Sequence, residues 1–152
     1  MASSASNGDG RGARGRIGEA AAQALLERAG YTIVDTNVRF GKTKGLIGEL
    51  DIVAWDGSVL CFVEVKTRRA LAHHAVNPAE AVTPAKQRRI ARLALAYANR
   101  HGMLAEDSAN DISLRFDVVS VVLSPGEPPT IRRADLFRGA FLAPDDLAER
   151  EF

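Results

Sequence analysis

The sequence predicts an α/β domain, and three observations carry that prediction. Two segments repeat apolar residues at helical spacing, two apolar runs are joined by a turn dipeptide, and a late run alternates before becoming continuously apolar. In chain order the elements read α-β-β-β-α-β. A length of 152 residues suits one hydrophobic core plus tails, because two cores of that total size would each be marginal. Apolar residues at 46% and charged residues at 26% fit a globular chain and argue against a disordered or collagenous one.

Residues 1–15, MASSASNGDGRGARG, read as a disordered N-terminal tail. They hold no apolar core of the length a secretory signal needs, and Asp9 with the missing apolar face sets them apart from a transit peptide. No later stretch approaches a membrane span, and the lone Cys61 has no partner for a disulfide. The expected location is therefore the reducing cytoplasm.

The first helix is expected over Gly18–Ala29, with Ala21, Ala24, Leu25 and Ala29 at helical spacing and Gly30 where a C-cap belongs. Tyr31–Phe40 reads as a strand, and Gly41, Lys42, Lys44, Gly45 and Gly48 form a basic loop. Glu49–Trp55 and Ser58–Thr67 form a hairpin about Asp56-Gly57, a pair that accepts the positive φ angles of a two-residue turn. Arg68–Val82, with His73, His74 and Pro78, reads as a loop. Thr83 then caps a second helix with Pro84 at its first position, and Ile90, Leu93, Ala94 and Tyr97 carry it to about His101. Leu114–Leu123 reads as a largely buried strand. The prolines of Ser124–Thr130 break the pattern, leaving at most one short strand near Ile131 and a loose tail. The domain is thus drawn at 16–123, with 124–152 as a C-terminal extension.

With Asp56-Gly57 as the turn, Glu49 lies across from Glu64 and Asp51 across from Phe62. Strand parity then projects Glu49, Asp51, Glu64 and Lys66 to one side, and Leu50, Ile52, Cys61, Val63 and Val65 to the other. Three carboxylates so placed repel one another and lose hydration, which a divalent cation would relieve. Carboxylate oxygens suit Mg²⁺ or Mn²⁺, and a neighbouring lysine can hold a water aimed at a phosphodiester. The plainer alternative is a solvated ion pair between Lys66 and one acid at a strand end.

Net charge is only +1, but residues 65–105 hold eight Lys or Arg against Glu80 alone, whereas the last ten residues hold four acids and one Arg. Lys86, Arg88, Arg89 and Arg92 have no acid within their helix to pair with. With Lys42, Lys44, Arg68 and Arg69 they would form a surface for nucleic-acid phosphates, the alternative being an ordinary solvated helix face. Aromatic residues are scarce among these basics, so stacking of single-stranded bases is not signalled. His73 and His74 lack the spacing of a preformed metal site, and a lone Cys61 within a strand is a poor nucleophile.

The runs Gly48-Glu49-Leu50-Asp51-Ile52-Val53-Ala54 and Phe62-Val63-Glu64-Val65-Lys66-Thr67-Arg68, followed by Glu80-Ala81-Val82 and Lys86, resemble the bacterial YraN-type family. That family is similar in turn to archaeal Holliday-junction resolvases and to the restriction-endonuclease-like fold with its Asp…Glu-x-Lys site. The resemblance covers roughly residues 16–123 and takes in Gly18-Glu19, Asn37, Arg39 and Arg115-Phe116-Asp117-Val118. It implies a restriction-endonuclease-like core, a mixed β-sheet flanked by helices. It further implies Asp51, Glu64 and the Val65 carbonyl as ligands to Mg²⁺ or Mn²⁺, Lys66 as the water-orienting base, and Glu19 as a further acid from the first helix. Leu50 stands where the superfamily often has proline, a departure that leaves the liganding atoms unchanged.

From the residues alone, Glu19 equally suits the dipole of a helix's first turn. Glu49 is either a ligand or a carboxylate supporting one, and Asp117 is read as structural, paired with Arg115 or a hairpin residue. The expected function is a metal-dependent endonuclease acting on DNA, with branched or structured DNA and a homodimer as the resemblance implies. The alternatives are a nucleic-acid-binding module of the same fold without turnover, and a purely structural partner protein.

Overall fold

The structure, a computed structural model, describes residues 6–41, 45–70, 82–104 and 112–144. Its elements are α1 (Ser6–Arg28), β1 (Thr32–Phe40), β2 (Gly48–Asp56), β3 (Val59–Arg69), α2 (Pro84–Arg100), β4 (Ser113–Leu123) and β5 (Ile131–Phe141). The five strands form one sheet in the order β1-β2-β3-β4-β5. Only β3 and β4 run parallel, so the sheet is mixed, and α2 is the crossover that a parallel pair requires.

The two helices cover opposite faces. Ala21, Ala22 and Leu26 of α1 pack on Ile52, Ala54, Cys61, Val63, Val119 and Val121. Ile90, Leu93, Ala94 and Tyr97 of α2 pack on Val53, Leu60, Phe62, Phe116 and Val118. The alternation along β3 (Leu60 and Phe62 against Cys61 and Val63) is the pleat sending successive side chains to different helices. This is the restriction-endonuclease-like α/β core. Among the described residues no helix is long and apolar enough to cross a membrane.

Local signals act where the sequence places them. Gly30, at φ 93, ends α1, and the N–H groups of Gly30 and Tyr31 donate to the carbonyls of Glu27 and Leu26 at 3.1 and 2.9 Å. That is the paired bonding of a helix stop that glycine permits. Thr83 caps α2, its hydroxyl accepting from the Lys86 N–H at 3.2 Å, with Pro84 following.

The structure differs from the sequence reading in four places. Residues 6–15, read as tail, are helical, because turns added to a helix already held by its packed residues each gain a hydrogen bond without a new nucleus. The hairpin turn is Gly57-Ser58, flanked by Asp56↔Val59. Gly57 alone takes a positive φ, 60°, the glycine-first pattern of a type II′ turn, so partners shift by two residues and keep their faces. Leu50 joins the α2-side core, since β2 is ladder-paired with β3 only from Ile52 onward and its first residues turn with β1. The stretch past Thr130 forms a full strand, β5, rather than a short one, paired antiparallel to β4 from Phe116↔Phe141 to Leu123↔Ile131.

Candidate functional site

Where β2 leaves β3, backbone partners are lost and a side chain takes over. The ladder ends at Ile52↔Val63, and the Val65 N–H donates to Asp51 Oδ2 at 2.9 Å. Asp51 therefore stands beside Glu64 rather than Phe62, as the two-residue shift requires. Across β1 the opposite position is Asn37, which takes a left-handed φ of 51° between Thr36↔Ile52 and Val38↔Leu50. Asparagine tolerates that region better than most residues, and such strain gathers at functional sites.

Glycine brings the helix in. A Cβ on Gly18 would lie 1.9 Å from Thr67 Oγ1, so α1 crosses β3 closer than any side chain at that position allows. The next residue, Glu19, reaches the strand ends. Glu19, Glu49 and Asp51 each offer an oxygen within 4.8 Å of the other two. Glu49 also meets Arg39, Nε to Oε2, at 3.5 Å. Glu64, only 6% exposed, faces two lysines, with Lys86 Nζ at 2.7 Å and Lys66 Nζ at 3.8 Å from Oε1.

The cluster strains its own charges. Burial first, then the neighbouring Glu64 carboxylate, pushes the Asp51 carboxyl up to about 7, although the Val65 N–H works the other way. Burial and then the adjacent Lys86 ammonium hold Lys66 below the ordinary lysine range. Burial opposes the charge on Lys86 more than any other one influence, but its bonds to Glu64 and Lys66 and the charges of Glu64 and Asp51 together raise it. The two lysines thus divide: Lys86 is a fixed cation on Glu64, and Lys66 is the more weakly held base.

The structure thus groups Glu19, Glu49 and Asp51, and holds Glu64 between Lys66 and Lys86; the sequence reading missed Lys86 as a partner. Lys86 was placed among phosphate contacts because its own helix offers no acid, yet Glu64, 22 residues earlier in the sequence, supplies one. Arg88, Arg89 and Arg92 are exposed and, among the described residues, have no salt-bridge partner. They line a groove of about 620 Å³ with Leu46, Ile47 and Leu93. Arg68 lines a second hollow, about 310 Å³, with Arg14 and Thr67. Arg69 is engaged by Glu127 at 2.8 Å, as is Arg14 at 3.1 Å. Lys42, Lys44, Glu80, His73 and His74 lie outside the described residues.

Opposite Val63, Asp117 is structural, as read, in a network that runs from there toward the hairpin turn. Its carboxylate accepts from Arg115 Nε at 2.8 Å, the Tyr31 hydroxyl at 2.7 Å and the Gly139 N–H at 2.8 Å. Burial alone would raise its pKa, and these donors hold it below the usual carboxylate range instead. Arg115 also reaches Asp56 at 2.7 Å, tying β4 to the hairpin turn.

A family model described as the uncharacterised protein family UPF0102 matches residues 18–121. The chain is similar to UPF0102 proteins of several bacteria. That of Geobacter sulfurreducens is 49% identical over 112 residues, 73% of this chain and 77% of the relative. That of Symbiobacterium thermophilum is 46% identical over 129 residues, 85% of this chain and 96% of the relative. That of Acetivibrio thermocellus is 37% identical over 142 residues, 93% of this chain and 100% of the relative.

Proposed function

The chain belongs to the family UPF0102, the YraN-type family, and for this member we propose metal-dependent hydrolysis of phosphodiester bonds in DNA. The observation that carries the reading is a juxtaposition at one end of the sheet: three carboxylates within 4.8 Å on one side, and Glu64 with Lys66 and Lys86 beside them. A structural ion pair needs one acid and one base. Three clustered acids, one of them raised to about 7, are costly without a cation and ordinary with one.

All-oxygen donors of this kind fit Mg²⁺ or Mn²⁺. Asp51 and Glu19 would hold the ion, with Glu49 beside them and Glu64 contributing from β3. The Val65 carbonyl belongs to the same residue edge as the N–H that meets Asp51, which suits it as a further ligand. When bound, the ion would polarise a phosphoryl oxygen and acidify water. Lys66, held below its ordinary range, is suited to take or orient the proton of an attacking water. Lys86 fixes the Glu64 carboxylate so that Lys66 stays available. Branched or structured DNA is the substrate class implied by the family resemblance. A second copy of the chain would serve its second strand.

The test offers labelled duplex, single-stranded, flap and four-way-junction DNA to the purified chain with Mg²⁺ or Mn²⁺, beside Asp51→Ala and Lys66→Ala. Metal-dependent cuts that fall about 100-fold or more in both variants support the reading. A second reading, a binding module without turnover, is favoured by the exposed arginines of α2, which are separate from the acids. It gives salt-sensitive binding equal in all three proteins and no cuts, and that result would replace the nuclease reading.

A further inference from the structure

Two walls of the α2 groove are formed by segments that adjoin residues of the acidic site in sequence. One is the chain entering β2, where Gly45, Leu46 and Ile47 precede Gly48 and then Glu49. A Cβ on Gly48 would lie 2.9 Å from Leu93 Cδ1 and 3.3 Å from Arg89 Cδ, so this wall is pressed against the helix. The other wall is α2 itself, where Arg88, Arg89 and Arg92 follow Lys86, the residue bound to Glu64 at 2.7 Å. Each wall thus continues in sequence into a residue of the site, Glu49 on one and Lys86, bound to Glu64, on the other.

The lining has two chemistries. Three exposed guanidinium groups without acid partners among the described residues call for anions, and they are spaced along one helix. Between them and β2 lies an aliphatic floor, where Ile47 is 72% exposed and Leu46 partly so, over the buried Leu93. A duplex laid on α2 would satisfy the arginines but leave that floor in water, because its bases are stacked inside. An unpaired strand presents phosphates on one edge and the faces of its bases on the other. Residues 46, 47 and 93 assemble this floor from two distant segments, so the scarcity of aromatics in the sequence gave no hint of it.

Resting on the nuclease reading, we propose that this groove holds an unpaired stretch of DNA. Its phosphates lie on Arg88, Arg89 and Arg92, and a base lies against Ile47 and the exposed part of Leu46. The enzyme would then act where a duplex meets a single strand.

Binding is measured by fluorescence anisotropy in EDTA, so that no cleavage enters, with a labelled oligothymidine and a blunt duplex of equal length. The oligothymidine binds about ten-fold tighter than the duplex. Ile47→Ala, a truncation at an exposed position, weakens oligothymidine binding about three- to ten-fold and leaves duplex binding and the salt slope unchanged. Arg88→Ala combined with Arg92→Ala lowers the slope of log affinity against log salt on the single strand by about 0.7 per arginine. Equal or tighter duplex binding, with Ile47→Ala indifferent, overturns the proposal. In a parallel cleavage assay on a duplex with a single-stranded tail, metal-dependent cutting that Ile47→Ala neither slows nor relocates also overturns the groove while sparing the nuclease. Groove-dependent binding without any cutting does the reverse.

Discussion

At Asp51 two influences oppose each other: one N–H bond favours the carboxylate, while burial and the adjacent Glu64 disfavour it. The net result is a folded-state value of about 7 against an ordinary 3.8, and the sign of the stability effect follows. Between those values the folded chain keeps a proton that the unfolded chain has released, so stability falls as pH rises through that window and levels off above it. Thermal melts of the metal-free chain in EDTA should show this decline from about pH 4 to pH 7. Asp51→Asn should flatten it and melt higher than wild type at pH 8, while losing stabilisation by Mn²⁺. A wild-type melting curve independent of pH across that window would mean that Asp51 ionises without cost in the fold. On the proposed nuclease reading, such a site gives up stability for reactivity, as catalytic positions commonly do.

Among the elements, α1 depends on its approach to β3 at Gly18. Gly18→Ala puts a Cβ into the Thr67 side chain, and overpacking of this kind costs about 1–3 kcal/mol while moving Glu19 away from Asp51. Its melting temperature should fall and its apparent affinity for Mn²⁺ should weaken. Adding Thr67→Ala should restore part of both, because the nearest obstructing atom is Thr67 Oγ1, and no rescue would place the damage elsewhere. Glycine at that position was readable in the sequence, but its contact was not, because Thr67 lies 49 residues away. The same divide runs through the other elements. Local chemistry identified the helix stop at Gly30, the cap at Thr83 and, apart from Leu50, the apolar faces of the hairpin. It did not identify the turn, since Asp56-Gly57 and Gly57-Ser58 are both acceptable pairs and only tertiary pairing chooses between them. Lys86 and Arg88 looked alike in a helical projection, and only the sheet beneath reveals that one faces Glu64 and the other the groove.

For the whole molecule, the sheet's far edge decides where the domain ends. The sequence boundary at Leu123 came from the prolines that follow, which break a strand without implying that folding stops there. Beyond them β5 pairs along β4 and stacks Phe141 on Phe116, with ring centroids 5.0 Å apart. It also supplies the Gly139 N–H to buried Asp117 and places Arg138 over the Tyr31 ring, 5.3 Å from its centroid. A chain ended at Leu123 would expose the β4 edge and leave Asp117 short of a donor, and unpaired strand edges invite association between chains. The loss of Phe141 burial and that donor alone amounts to about 3 kcal/mol, roughly 10 °C in melting temperature. A chain ended after residue 144 keeps β5 and should melt like the full protein, whereas the chain ended at Leu123 should melt at least that much lower or aggregate during refolding. Equal melting of both truncations would make β5 an appendage and return the boundary to Leu123. Asp117 is paired with Val63, one residue before Glu64, so a truncation that takes a donor from Asp117 tests how far the strain reaches the neighbouring acidic site. Mn²⁺ affinity measured beside the melting curves separates those effects, because loss of stability with unchanged affinity means that the site is held independently of the Asp117 network.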